Sequence, residues 1–172
     1  PGKELLDAIK AEMGAIPLIA EDLGVITPDV EELRDSNMLP GMKILQFAFD
    51  SNEGNNFLPH LYPHNSVVYT GTHDNDTVIG WFEAASENDK RFVQEYFNAD
   101  VNDISWSMIK LAWSSVSNIA IAPLQDILSL GSESRMNLPG KPSGYWRWRY
   151  KKEALNFDQA LRLARITKIY NR

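Results

Sequence analysis

Two carboxylates stand at the ends of apolar, strand-like runs: Glu21 after Pro17-Leu18-Ile19-Ala20, and Asp74 within Tyr69-Thr70-Gly71-Thr72-His73-Asp74-Asn75-Asp76. An apolar strand that delivers a charged side chain into a Gly-rich or polar loop is how a parallel barrel builds an active site. Acidic residues on both sides of a glycosidic bond are what its cleavage needs. His73 beside Asp74 adds a group that binds hydroxyls, orients a transition state or ligates a metal. Each feature also has a plainer reading. Glu21-Asp22 suits an exposed acidic loop or helix cap, and a His-Asp pair taken alone is ambiguous.

The elements that must position these groups alternate. Leu5, Leu6, Ile9 and Met13 recur at helical spacing and Gly14 follows as a C-cap. Residues 15–20 form an apolar run too short for a helix, which predicts a buried parallel strand ending at Glu21. Thr27-Pro28 predicts a helix start, with a hydroxyl cap and proline in the first turn, and Asp29, Glu31 and Glu32 suit its positive end. Residues 42–49 predict a second strand ending at Asp50, and residues 66–70 a third ending before His73-Asp74. Ser86 with Asp89 reads as a helix N-cap, followed by the apolar face Phe92, Val93, Tyr96 and Phe97. Ile109, Ala112, Trp113 and Val116 form another stripe. Residues 118–123 predict a fourth strand, leading to Gln125 and Asp126 on a short helix over 125–130. A turn-rich stretch follows over 132–144, then a C-terminal helix over 157–170. Such alternation implies βαβ units around a parallel sheet. Four units make half of an eight-stranded barrel.

Composition narrows the classes. A hydrophobic content of 44% with 23% charged residues is that of a folded globular chain. A formal charge of -6 disfavours nucleic acid, which needs a basic face, and leaves a neutral polyol ligand unaffected. No apolar run approaches the roughly 20 residues of a membrane span. The absence of cysteine removes disulfides, thiolate metal sites and cysteine nucleophiles, and makes the cytoplasm the default compartment. Pro1-Gly2-Lys3-Glu4 has no apolar leader core. A start on proline rather than methionine implies processing or a piece of a longer chain.

A catalytic metal is disfavoured. His60, His64 and His73 are the three histidines, and Pro59 and Pro63 prevent His60 and His64 from sharing a regular helix face. The aromatic run Tyr145-Trp146-Arg147-Trp148-Arg149-Tyr150 reads mainly as a strand or loop that packs alternate aromatics on the core, although such a wall also stacks on sugar rings. The polar loop Gly131-Ser132-Glu133-Ser134-Arg135-Met136-Asn137 is either a solvated helix stop or the edge of a ligand groove.

Together these segments are specific. Ile19-Ala20-Glu21-Asp22-Leu23-Gly24-Val25-Ile26-Thr27-Pro28, Leu39-Pro40-Gly41-Met42-Lys43, Gln46-Phe47-Ala48-Phe49-Asp50, residues 69–77 and residues 131–137 occur in an order and spacing that resemble the 4-α-glucanotransferases. These are the amylomaltases, or disproportionating enzymes, of glycoside hydrolase family 77. The resemblance spans essentially the whole chain and implies an α/β fold of the (β/α)8 TIM-barrel type. Residues 1–172 would supply strands five to eight and the C-terminal helix. It further implies transfer of α-1,4-glucan segments between malto-oligosaccharides or starch chains, with no organic cofactor and no metal. It assigns Glu21 as general acid/base, Asp74 as the transition-state-stabilising aspartate, and Asp50, His73, Arg135 and Asn137 as substrate-binding residues.

The chemistry suits those residue types. Retention takes two displacements: one group acts as acid and then as base, while another attacks the sugar carbon. The family's nucleophile is an aspartate in an Arg-Ile-Asp-His-like motif on the fourth strand, and no such motif occurs here. Asp7 and Glu12 lie on the predicted first helix, outside that context. The chain is therefore expected to lack the upstream half of the barrel, to be inactive alone, and to pair with that half or with a second copy. Tyr145 departs from the asparagine that relatives often carry before the tryptophan. Two further readings remain open at this point: a non-catalytic glucan-binding or interaction fragment, and a His-Asp metal hydrolase.

Overall fold

The computed structural model describes residues 1–14, 17–49 and 55–172. Its centre is a three-stranded parallel sheet in the order β1-β2-β3, built from β1 (Gly41–Ile44), β2 (Ser66–Tyr69) and β3 (Ile119–Ile121). Register runs Gly41 against Ser66 and Val67 against Ile119, so the strands point the same way and their C-terminal ends share one edge. Each connection crosses back over the sheet, as parallel pairing requires.

Helices α1 (Gly2–Met13) and α2 (Pro28–Ser36) precede β1. Between β2 and β3 come α3 (Val78–Ala84), α4 (Glu87–Phe97) and α5 (Ile104–Ser114). After β3 come α6 (Leu124–Ile127) and α7 (Phe157–Ile169). Ser86 caps α4 as its sequence predicts, accepting the Asp89 N–H at 3.2 Å. At α2, Pro28 occupies the first turn, but the Thr27 hydroxyl does not cap the helix. It bonds the Asp29 carboxylate instead, the main influence holding that group below the usual carboxylate range.

Two predicted strands are modified. Of the run over 15–20, Ala15 and Ile16 lie outside the described residues, and residues 17–20 form no ladder. Pro17 has no N–H to donate, and the Ala20 N–H alone reaches the flank of β1, donating to the Pro40 carbonyl at 2.9 Å. The run over 42–49 is strand only to Ile44 and then tightens into a 3-10 turn over Leu45–Phe49. Leu45, Ala48 and Phe49 are all buried in one cluster. Their i, i+3, i+4 spacing reaches a single face in a helical turn, whereas a strand would send neighbours to opposite faces.

The core lies between one face of the sheet and α3, α4 and α5. Val68 of β2 shares one buried cluster there with Leu45, Phe49, Val78, Met108, Ile109 and Ala112. Phe49 is 1% exposed and packs against the rings of Trp81, Phe92, Tyr96 and Phe97 at 5.6–6.3 Å. Burying such a side chain contributes about 3 kcal/mol. On the opposite sheet face Ile44 of β1 and Val67 of β2 are fully buried, and the apolar surface left exposed there belongs to β3. Ala120 of β3 faces the core, while its neighbours Ile119 and Ile121 alternate away and remain exposed.

Candidate functional site

The loop that leaves β2 is held by its own polar side chains. The Asn75 Oδ1 accepts both the Thr72 N–H and the Thr72 hydroxyl at 2.8 Å, which closes a tight turn. Gly71 permits it: a Cβ there would lie 2.6 Å from the Gln46 Nε2. That Gln46 amide, buried in the 3-10 turn after β1, donates to the Asp76 carbonyl at 2.8 Å. The turn therefore presents His73 and Asp74 beyond the C-terminal edge of the sheet, where parallel α/β folds place their chemistry.

Four residues expected to act together converge here. Asn137 Nδ2 donates to Asp74 Oδ1 at 2.6 Å, and the Asn137 N–H donates to the His73 carbonyl at 3.0 Å. Arg135 Nη2 donates to the Asp74 carbonyl and its Nε to the Asn137 carbonyl, both at 2.6 Å. His73 Nε2 lies 3.4 Å from Asp74 Oδ1. Asp74 Oδ2 has no protein partner among the described residues, and about half of the side chain is exposed. One carboxylate oxygen is thus held by Asn137 while the other is left without a protein partner among the described residues. The Arg135 guanidinium braces the two main chains and lies 3.8 Å from Asp76.

Beside the cluster is an open cleft of about 210 Å³ whose lining includes His73, Asp76, Thr77, Gln125, Asp126 and Arg135. Sequence patterning left Asp76 and Ser132 unassigned. Asp76 accepts the Ser132 hydroxyl and the Thr77 N–H, each at 2.7 Å, and so joins the β2 loop to the loop after α6. Asp126 is buried, 1% exposed, and accepts the Thr70 hydroxyl at 2.6 Å and the Val78 N–H at 2.8 Å. Burial pushes its carboxyl up to about 6, against the opposing pull of those two donors. Its place just after the fourth predicted strand is the sequence signal that points to it, although no role followed from that signal alone.

Glu21 stands apart from this network. It is exposed and makes no hydrogen bond or ion pair among the described residues. Its neighbour Asp22 is the anchored one: Oδ1 accepts the Met42 N–H at 2.6 Å, and Oδ2 meets Arg34 Nη1 at 2.5 Å. Asp22 thereby ties the Glu21 loop to β1 and α2 and leaves the Glu21 side chain in solvent. Asp50 lies outside the described residues. No three His, Cys, Asp or Glu side chains converge as a metal would require among the described residues.

The aromatic run does not pack alternate rings on the core. Trp146 has a left-handed backbone, φ +63°, which breaks the strand alternation that such packing needs. Its N–H donates to the Met136 carbonyl at 2.8 Å, its ring leans on His73 at 5.0 Å, and it is 55% exposed. Tyr150 is also exposed and stacks on Trp148.

No helix among the described residues is long and apolar enough to cross a membrane. Among solved structures, an amylomaltase from Streptococcus agalactiae in complex with acarbose superposes with a TM-score of 0.94 at 38% identity, covering 100% of this chain and 35% of that one. An amylomaltase from Corynebacterium glutamicum shares the fold at a TM-score of 0.61 and 15% identity, over 93% of this chain and 30% of that one. The 4-alpha-glucanotransferase of Synechocystis is 55% identical over 100% of this chain and 35% of its own length. That of Thermus thermophilus is 48% identical over 95% of this chain and 34% of its own. The chain thus spans about one third of the length of these relatives. The family described as 4-alpha-glucanotransferase, glycoside hydrolase family 77, matches residues 1–156, and the chain belongs to that family.

Proposed function

We propose that this chain is the C-terminal half of a TIM-barrel catalytic domain, about the last four βα units, in an enzyme that transfers α-1,4-glucan segments between malto-oligosaccharides or starch chains. The observation that carries the reading is the hydrogen-bonded group His73, Asp74, Arg135 and Asn137 at the C-terminal edge of a parallel sheet, in a chain of this family.

Glu21 protonates the leaving glycosidic oxygen. An aspartate supplied by another segment of the full-length enzyme attacks the anomeric carbon, giving a glycosyl-enzyme with inverted configuration. Glu21, now a carboxylate, takes the proton from the 4-hydroxyl of the acceptor glucan as that oxygen displaces the enzyme carboxylate, which restores the original anomer. The exposed, unpaired position of Glu21 supports this role, because a group that must gain and lose a proton cannot be locked in an ion pair. Asp74 Oδ2 binds sugar hydroxyls and stabilises the oxocarbenium-like ring, while Asn137 on Oδ1 keeps the carboxylate from turning. His73, Arg135, Asn137 and Asp50 contact or shape the bound glucan. The scheme uses no cofactor and no metal.

The exposed apolar side chains of the edge strand β3 support a partner segment. Leu18, Ile19, Leu39, Pro40 and Ile119 line an apolar cleft of about 670 Å³ beside α1, whose residues are nowhere buried. An apolar face and an open sheet edge of this kind call for another part of the barrel. The test is glucose release from maltotriose by the full-length enzyme, with Glu21→Gln in parallel. Disproportionation by the parent is expected, with transfer abolished and maltoheptaose binding retained in the variant. Near-normal transfer by Glu21→Gln refutes the assignment. Maltoheptaose binding without transfer by the parent favours a glucan-binding role.

A further inference from the structure

We infer that Asp126 is a positioning residue for Asp74: one buried carboxylate fastens both ends of the loop 71–77 and so sets where the Asp74 carboxylate stands. The inference rests on the transferase reading for its kinetic consequence, and on geometry for the rest.

The loop 71–77 is bounded by Thr70 at the end of β2 and Val78 at the start of α3. These two residues share no backbone hydrogen bond; Thr70 donates its N–H to Ile121, across to β3. They meet instead through Asp126, whose Oδ2 accepts the Thr70 hydroxyl and whose Oδ1 accepts the Val78 N–H. The clamp is itself held from behind, because the Ser105 hydroxyl on α5 donates to the Asp126 carbonyl at 2.7 Å and the Asp126 N–H bonds Pro123 at 3.0 Å. Charge-assisted bonds in a buried site are short and strong, and an acceptor with two fixed oxygens sets a distance as well as an energy. Asp74 is exposed and reaches the rest of the protein mainly through Asn137 and Arg135, so both loop ends must be fixed for its Oδ2 to keep its place. A displacement of about 1 Å at a reacting centre can cost about 10²-fold in rate.

The experiment uses the full-length enzyme and follows kcat and KM for maltotriose together with hydrogen exchange of the amides in 71–78. Thr70→Val removes one end of the clamp at nearly constant shape. Asp126→Ala removes both. Asp126→Asn keeps an acceptor for Val78 and offers an amide that the Thr70 oxygen can accept. The expected order of kcat is parent, then Asp126→Asn within about tenfold, then Thr70→Val, then Asp126→Ala lower by about 10²-fold, with KM within about threefold throughout. Exchange at 71–78 should rise in the same order while α5 stays protected. Val93→Ala, a core truncation on α4 outside this network, is the control for general destabilisation. Unchanged loop exchange in Thr70→Val and Asp126→Ala overturns the inference whether or not the parent transfers glucan. So does a loss of kcat in Val93→Ala equal to that in Asp126→Ala. If the parent is inactive, the transferase reading fails, and the exchange data alone decide the clamp.

Discussion

Asp22 gives the sharpest test of how the loop carrying Glu21 is held. Its side chain is 6% exposed, with one oxygen on the Met42 N–H and the other on Arg34, whose side chain is 18% exposed. Asp22→Ala strands both. A buried N–H left without an acceptor costs about 1–3 kcal/mol, and a lost hydrogen bond to a charged group about 1.5–3 kcal/mol. Together they match the roughly 3–5 kcal/mol found when one member of a buried pair is removed. Asp22→Asn keeps the Oδ1 acceptor and loses only the ion pair, so its cost should be about 1–2 kcal/mol. Arg34 retains Asp35 in either variant, but that carboxylate is 64% exposed and offsets little. Equilibrium urea unfolding reads the difference. With a slope near 2 kcal/mol/M, the alanine variant should unfold about 1.5–2.5 M earlier than the parent. An Arg34→Met background should shrink the penalty of Asp22→Asn to near zero, since the partner is then already gone. In the full-length enzyme, kcat should fall further in Asp22→Ala than in Asp22→Asn, because Glu21 follows the loop. Alanine and asparagine variants that unfold within about 0.5 kcal/mol of each other would refute the claim that the Met42 bond anchors this loop.

Asp74→Asn should lower kcat by about 10²–10³-fold with glucan binding largely kept, as expected when transition-state charge is lost; comparable turnover by this variant would remove Asp74 from the mechanism. Gly80→Ala should destabilise by about 1–3 kcal/mol despite the better helix propensity of alanine, because the new Cβ would lie 2.0 Å from Ser132 Oγ and 2.8 Å from Asp76 Oδ1. Adding Ser132→Gly should recover much of that loss, and a thermal midpoint above the parent's for Gly80→Ala alone would contradict it. Asp126 carries a pH signature. Its carboxyl is raised from the model-peptide value of 3.8 to about 6, so the native state binds the extra proton between those values. Stability contributed by that proton is present below the lower value and is lost as pH rises through about 6, roughly 3 kcal/mol in all. Urea midpoints of Asp126→Asn should therefore slope less than the parent's between pH 4 and 6.5, and superimposable pH profiles would count against a carboxyl this perturbed.

How much of this was legible from composition and order varies by element. Ser66–Tyr69 reads directly as a strand because Val67 and Val68 are β-branched, Tyr69 is aromatic and a turn follows at once. The helices α1, α2, α4 and α7 announce themselves by caps, prolines and apolar periodicity. Residues 45–49 do not, since a short apolar run carries no period until the surface that it covers is known. Here the sheet-facing core drew Leu45, Ala48 and Phe49 to one side and bent the run into a 3-10 turn. Likewise the aromatic run after Gly144 looks like an alternating strand until the backbone of Trp146 is seen to turn left-handed.

The candidate site divides the same way. Placement after apolar runs marked Glu21, Asp50 and Asp74 with its neighbour His73, while Arg135 and Asn137 were marked only by the resemblance to the 4-α-glucanotransferases. Which of them touch could not be read there. That Asn137 grips Asp74 across 63 positions, that Arg135 braces carbonyls, and that Asp22 rather than Glu21 is anchored all follow from long-range hydrogen bonds. The bonds of Asp76 to Ser132 and of Asp126 to Thr70 and Val78 emerge only in three dimensions for the same reason. A carboxylate's role is set by the donors that surround it and by its distance from water, and both are properties of the packed chain rather than of the letters beside it.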